Sequence, residues 1–322
     1  MDAHQQPKIL VIRGGAIGDF LLTLPSIGLL REAFPDAHLE ILGYKHIVAI
    51  AEGRHYADAT RSIEYGGLAT FFIPGSVLPP DLASYFSSFQ QVISYLYDPD
   101  GFFETNLRRA GVKNLLCAYT PIGAAESVHA ARQLARPLEQ LALFLDQKAE
   151  PARLHPLPGD RAFANEFLGA TLRPILAVHP GSGGKHKLWP LDHWRQLLET
   201  VRAESDSIAP NPEIVLVGGE ADVQQIEALR AAVDHVAWNL PLPHLAAVLE
   251  RCSAFVGHDS GISHLAAAAG ARSVILFGPT DPAIWAPQGR QVKVLRAPSG
   301  DLSQISPRTV LDCVKSLLEE NT

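Results

Sequence analysis

The chain has 322 residues, 47% of them apolar and 19% charged, with a formal net charge of −7. That length exceeds what one hydrophobic core usually organises, so two domains are expected, and the ordinary composition excludes disorder. Net acidity without a long basic run argues against a nucleic-acid partner, because phosphate neutralisation needs clustered Lys and Arg.

The polar segment Met1–Lys8 leads straight into a strand, so no secretory signal is expected. No apolar run approaches the roughly 20 residues that span a bilayer. Cys117, Cys252 and Cys313 are far apart and odd in number, which suits a reduced cytoplasmic setting and gives no zinc-site spacing.

Ile9–Ile12 is a continuous apolar run ending at Gly14-Gly15, the pattern of a strand buried on both faces. A helix is expected over Asp19–Phe34, where Phe20, Leu24, Ile27, Leu30 and Phe34 recur at helical spacing. Pro35 stops it, and Pro25 is a candidate kink. His38–Leu42 is the next strand, which completes a βαβ unit and makes the first sheet parallel. Strands at Gln91–Tyr97 and Asn114–Ala118 flank a helix at Phe102–Ala110, and Gly66–Pro80 reads as a loop at a cleft. The proline-rich stretch Asp146–Asp160 is the linker candidate, giving domains 1–150 and 151–322.

The second series has strands at Pro174–Val178, Glu213–Val217, Ala254–Gly257 and Ser273–Phe277. Its helices are expected at Leu191–Ala203, Ala221–Ala232, Leu242–Cys252, Ser260–Ala269 and Pro307–Glu319. The fold class is therefore α/β, with two doubly wound parallel sheets expected to face each other across a cleft.

Three loops carry the chemistry. Arg13-Gly14-Gly15-Ala16-Ile17-Gly18-Asp19 brings backbone N–H groups and a helix N-terminus to the first sheet's carboxyl edge. Asp is also a preferred helix cap, so spacing alone leaves Asp19 as cap or as site residue. The dinucleotide spacing G-x-G-x-x-G is absent and Glu40 lies in mid-strand, which disfavours a nicotinamide enzyme. His179-Pro180-Gly181-Ser182-Gly183-Gly184-Lys185-His186-Lys187 has the glycines and lysines of a phosphate loop or of a plain turn. It lacks the Ser or Thr that a Walker A motif needs after its lysine. Gly257-His258-Asp259-Ser260-Gly261-Ile262-Ser263-His264 offers N–H groups at another helix start, or else is a capped helix with a core histidine. No G-x-S-x-G elbow accompanies its Asp, Ser and His, so a hydrolase triad is not supported.

Taken in order, these motifs resemble glycosyltransferase family 9, the ADP-heptose:lipopolysaccharide heptosyltransferases. The likeness is carried by Ile9–Arg13 with Gly15–Asp19 and Leu22–Pro25, by His179-Pro180-Gly181 with Lys187-Leu188-Trp189-Pro190, and by Asp259–Ala267 with Phe277–Pro282. The resemblance implies a GT-B fold with the acceptor on the N-terminal domain and the donor on the C-terminal one. The last helix, 307–319, would cross back to the N-terminal domain.

It further implies inversion at the anomeric carbon, with no cofactor or metal required and an ADP-sugar as donor. Asp19 would be the catalytic base. Lys187, Glu220, Asp259, Ser260, Gly261 and His264 would bind the donor, and Gly15, Gly18 and Gly181 would shape the glycine loops. The acceptor would be a cell-envelope glycan or glycolipid such as the lipopolysaccharide inner core, which would bring the protein to the inner face of the membrane. No amphipathic basic helix is evident for such contact. Arg13, Lys45, Arg54, Arg61, Arg108, Arg109 and Lys113 are scattered, so these residues select no particular anionic acceptor. Another nucleotide-sugar transferase, or a nucleotide-sugar-binding protein without turnover, remains the alternative.

Overall fold

The computed structural model describes residues 6–123, 127–146, 151–204 and 212–319. Its internal contacts divide the chain into two units, Met1–Ala152 and Arg153–Thr322.

In the first unit, β1 (Lys8–Arg13) is central because its apolar run can be buried on both faces. Leu10 and Ile12 join a cluster with Leu42, Phe71, Phe86, Phe103 and Leu107, while Ile9 and Val11, which alternate to the other face, are buried too. The helix α1 (Ile17–Ala33) follows and continues across Pro25 without interruption. Then come β2 (His38–Gly43), the short α2 (Lys45–Val48), β3 (Ala59–Ser62), α3 (Pro80–Ser87), β4 (Gln91–Ser94), α4 (Phe102–Arg109), β5 (Leu115–Cys117) and α5 (Ala130–Ala135). All pairings are parallel, and the strand order is β3-β2-β1-β4-β5.

The second unit runs α6 (Pro158–Leu168), β6 (Ile175–His179), α7 (Leu191–Ala203), β7 (Glu213–Gly218), α8 (Val223–Leu229), β8 (His235–Trp238) and α9 (Leu242–Glu250). It continues with β9 (Ala254–His258), α10 (Gly261–Ala269), β10 (Ser273–Phe277), α11 (Pro282–Trp285), β11 (Val292–Arg296) and α12 (Pro307–Glu319). Its sheet is also parallel, in the order β11-β10-β9-β6-β7-β8. In each sheet the order reverses beside the first strand, between β1 and β4 and between β6 and β9. Ligands of open α/β sheets bind outside the carboxyl ends of the strands at such reversals.

Three strands escape the sequence reading, and all three are sheet edges. The residues of β3 and β11 are half-buried or exposed, and only Ala237 of β8 is buried, so none shows the continuous apolar run that marks the central strands. The stretch Gly66–Pro80 is not wholly loop: Gly66–Phe72 forms a 3-10 turn that sends Phe71 into the core. Within the linker candidate, residues 147–150 lie outside the described residues. Pro158 starts a helix because proline is favoured at the first helical position, and Asp160 accepts a hydrogen bond from the Leu157 N–H at 2.7 Å. The expected helix Ala221–Ala232 is broken into α8 flanked by 3-10 turns at Glu220–Asp222 and Arg230–Ala232.

The last helix is α12. Its apolar face, Val310, Leu311, Val314 and Leu317, is buried in the second unit's own core, against α7, β9 and β10. Among the described residues no helix is long and apolar enough to cross a membrane.

Candidate active site

Two groups of candidate residues lie at the two reversal points. At the first, the chain leaves β1 through Arg13, turns at Gly15 and enters α1. Gly15 has φ +96°, and a Cβ there would sit 2.7 Å from Asp19 Oδ2, so both backbone conformation and space require glycine. Asp19 is the third residue of α1 rather than its cap, which is Ala16, and Gly18 is the second. Its Oδ2 accepts from the Ala16 N–H at 2.9 Å, the acidic half of a capping box.

That bond fixes the carboxylate without burying it, since the side chain keeps 45% of its surface exposed. Arg13 holds it from behind: Nη2 donates to the Asp19 carbonyl at 3.2 Å and lies 3.8 Å from Oδ1. Burial lowers the Arg13 pKa from its ordinary value, and the charge of Asp19 opposes that shift. One carboxylate oxygen is thus bonded to the Ala16 N–H, and the other faces the Arg13 guanidinium without a hydrogen bond to it.

At the second reversal point, the neighbouring strands β6 and β9 end in His179 and His258, with His179 opposite Gly257. The loop after β6 packs on the turn after β9. Lys187 Nζ meets Asp259 Oδ2 at 2.6 Å, and Thr280 Oγ1 donates to the same oxygen at 2.6 Å. Ser182 Oγ donates to the Asp259 carbonyl at 3.3 Å. Ser260 caps α10 by accepting from the Ser263 N–H at 3.4 Å, which leaves Gly261 as the first helical residue. His264 is buried in the first turn of the same helix. The structure thus brings Lys187, Asp259, Ser260, Gly261 and His264 to one helix start, where the dipole's positive end favours an anion. Glu220 is exposed at the start of the 3-10 turn after β7.

Residues that the sequence did not single out hold this loop in place. His258 is fully buried, donates through Nδ1 to the Gly181 carbonyl at 3.1 Å and accepts at Nε2 from the Trp189 N–H at 2.9 Å. It therefore ties together the two ends of the segment that carries Lys187. Burial pushes its pKa down to about 4, so the imidazole is neutral at ordinary pH, as these two opposite roles demand. Trp189 is fixed again by its indole N–H on the Ile305 carbonyl at 2.9 Å.

On the other side, Asp222 lies 3.5 Å from His179 Nε2 and accepts from the Gly219 N–H at 2.8 Å. Burial alone would raise its pKa, but these hydrogen bonds bring it below the ordinary carboxylate value. A Cβ on Gly181 would fall 2.0 Å from Asp222 Oδ1, so only glycine fits against this carboxylate. The spacing Gly219-x-x-Asp222 is a legible capping signal; nothing in the sequence distinguishes His258 from an ordinary strand-end histidine. Among the described residues no group of three or more His, Cys, Asp or Glu side chains is arranged to hold a metal.

The model of glycosyltransferase family 9 (heptosyltransferase) matches residues 117–315. Lipopolysaccharide heptosyltransferase 1 of Escherichia coli is 32% identical over 170 residues, which is 51% of this chain and 45% of that protein. The match thus spans about half the length of the curated relative. Among solved structures, a glycosyl transferase family 9 protein from Veillonella parvula superposes with a TM-score of 0.81 at 21% identity, covering 98% of each chain. An E. coli heptosyltransferase solved with ADP gives 0.68 at 21% identity, covering 98% of this chain and all of the other. These likenesses show the fold, GT-B, built from two parallel-sheet α/β domains.

Proposed function

This chain belongs to glycosyltransferase family 9, and from that premise we propose that it transfers heptose from ADP-heptose to a cell-envelope glycan such as the lipopolysaccharide inner core. The observation that carries the donor half is the meeting of Lys187 with Asp259 and Thr280 at the N-terminus of α10. A mobile ammonium beside a helix start is what a nucleoside diphosphate needs, and the reading assigns the leaving group's charge to these groups. On donor binding Lys187 exchanges Asp259 for the diphosphate, which frees the Asp259 carboxylate to face the sugar. Ser260, Gly261 and His264 line the diphosphate's approach, and Glu220 takes the ribose.

The acceptor half rests on Asp19. In the proposed step the acceptor hydroxyl gives its proton to the free oxygen of Asp19 and attacks the anomeric carbon. The carbon–oxygen bond to the diphosphate breaks with inversion, and ADP leaves with that electron pair. The domain roles follow: acceptor on 1–150, donor on 151–322. The reaction would run in the cytoplasm, at the inner face of the membrane when the acceptor is membrane-bound.

A thermal-shift screen against ADP, UDP, GDP, CDP and NAD tests the donor assignment. ADP is expected to raise Tm, because a ligand at 100 times its Kd stabilises by roughly 2.7 kcal/mol, and Lys187→Ala is expected to weaken the shift. A shift with another nucleotide would overturn the donor, and a response to NAD alone would overturn the transferase.

A further inference from the structure

Three segments of the second unit meet at His179, the last residue of β6, to which the proposed transfer gives no task. The residue is 4% exposed. Its Nε2 lies 3.5 Å from Asp222 Oδ2, on the turn after β7, and its Nδ1 lies 3.5 Å from Ser260 Oγ, at the start of α10. Burial would raise the Asp222 pKa, yet the hydrogen bonds from His179 and from the Gly219 N–H hold it below the ordinary carboxylate value. An ionised carboxylate only accepts, so in the neutral ring Nε2 carries the hydrogen and Nδ1 is an acceptor within reach of the Ser260 hydroxyl.

The contrast with His258 shows what this histidine can do. The partners of His258 are a carbonyl and a backbone N–H, fixed as acceptor and donor, so a second proton on that ring breaks one of its bonds. The partners of His179 are a carboxylate and a hydroxyl that can turn round. A proton on Nδ1 therefore costs no bond and makes the ring a donor to Ser260 Oγ. Ser260 Oγ also accepts the Ser263 N–H at 3.4 Å, so its own proton then points elsewhere. Ser263 Oγ at 3.3 Å is one acceptor for it, and an anion at the start of α10 is a stronger one.

We infer that His179 is a positioning residue of the donor site: when a nucleoside diphosphate reaches the start of α10, the imidazole takes one proton from solvent at Nδ1, donates to Ser260 Oγ and turns the Ser260 hydroxyl onto the diphosphate. This rests on the proposed donor reading. The imidazolium then stands between Asp222 and the ligand's charge, both of which favour the charged ring. The diphosphate gains a further negative charge as the sugar departs, so the same imidazolium opposes the charge that develops in the transfer. The other ionisable side chains on the surrounding segments are His258 and Asp259 after β9, His264 in α10, His186 and Lys187 after β6, and Glu220 beside Asp222.

Calorimetric titration of the full chain with ADP, in two buffers of different ionisation enthalpy, counts the protons taken up. Wild type is expected to take up a proton at pH 7.5, where an ordinary imidazole is largely neutral. It should also bind ADP about threefold to tenfold tighter for each unit that the pH falls from 8.5 to 7. His179→Asn and His179→Gln, whose amides cannot take a proton, should bind ADP more weakly, with the uptake lost and a flatter pH response. Ser260→Ala should lose the pH response although its histidine is intact. A histidine that only packs would give no uptake in wild type, and that result would overturn the inference, as would undiminished uptake in both His179 variants or a full pH response in Ser260→Ala. Where a variant does not fold, the wild-type proton count decides, since it needs no substitution. The ADP thermal shift separates the outcomes: if ADP stabilises the protein without a proton, this inference alone falls, and if ADP gives no shift, the donor reading falls with it.

Discussion

Replacing His258 by Phe keeps a ring against Trp194, whose indole it meets edge-on at 5.5 Å, but removes both hydrogen bonds of the imidazole. The Gly181 carbonyl and the Trp189 N–H are then left buried without their partner. Each orphaned buried group costs about 1–3 kcal/mol, so the variant should lose roughly 2–6 kcal/mol. In a unit of this size that corresponds to a drop of about 5–20 °C in Tm, read by calorimetry.

The pH dependence carries a second, independent sign. Burial pushes the folded-state pKa of His258 down to about 4, below the ordinary histidine value of 6.5. Between those values the unfolded chain binds a proton there that the folded chain does not, so stability falls as pH drops from 6.5 towards 4. The contribution is fully present above 6.5 and amounts to roughly 3 kcal/mol. Protonation at Nε2 would also replace the acceptor that Trp189 uses. His179, Asp222 and Asp259 lie near the same imidazole and are kept in both proteins. The difference between wild type and His258→Phe therefore isolates this histidine, and the variant should show the shallower acid slope. A Tm within about 2 °C of wild type and an identical slope would refute the reasoning.

Gly15→Ala puts a side chain at φ +96° and against Asp19 Oδ2, which should cost about 1–2 kcal/mol and displace the carboxylate. Turnover should fall by more than the change in Tm accounts for, as steady-state rates beside a melting curve would show. Gly181→Ala drives a methyl group into Asp222, so a urea titration should show a loss of roughly 1–3 kcal/mol with a weakened ADP shift.

Much of the fold was legible because central parallel strands announce themselves. Ile9–Ile12 and Val274–Phe277 are unbroken apolar runs with a glycine one or two residues beyond, and Leu191–Ala203 and Pro307–Glu319 show helical periodicity to within their observed ends. The edge strands were illegible for the converse reason: Ala59-Thr60-Arg61-Ser62 is half wet and looks like a loop. Asp19 was readable as a residue at a helix start, but its place at the third position, with one oxygen engaged and one open, is a matter of three-dimensional geometry. His258 was invisible because its task is set by Gly181 and Trp189, 77 and 69 residues away in the chain. A cavity in the first unit was hidden similarly: Tyr44, Tyr65, Tyr97 and Tyr119, which line it, come from four separate loops that only the sheet order brings together.

The assignment of Asp19 as the base is tested most directly by measuring heptose transfer from ADP-heptose to a lipopolysaccharide-core acceptor with wild type and Asp19→Asn. The substitution removes the proton acceptor of the first unit and changes no residue of the Lys187 loop in the second. Turnover should fall by about 10²–10⁴-fold with the ADP thermal shift unchanged. Near-normal turnover in Asp19→Asn would contradict the account.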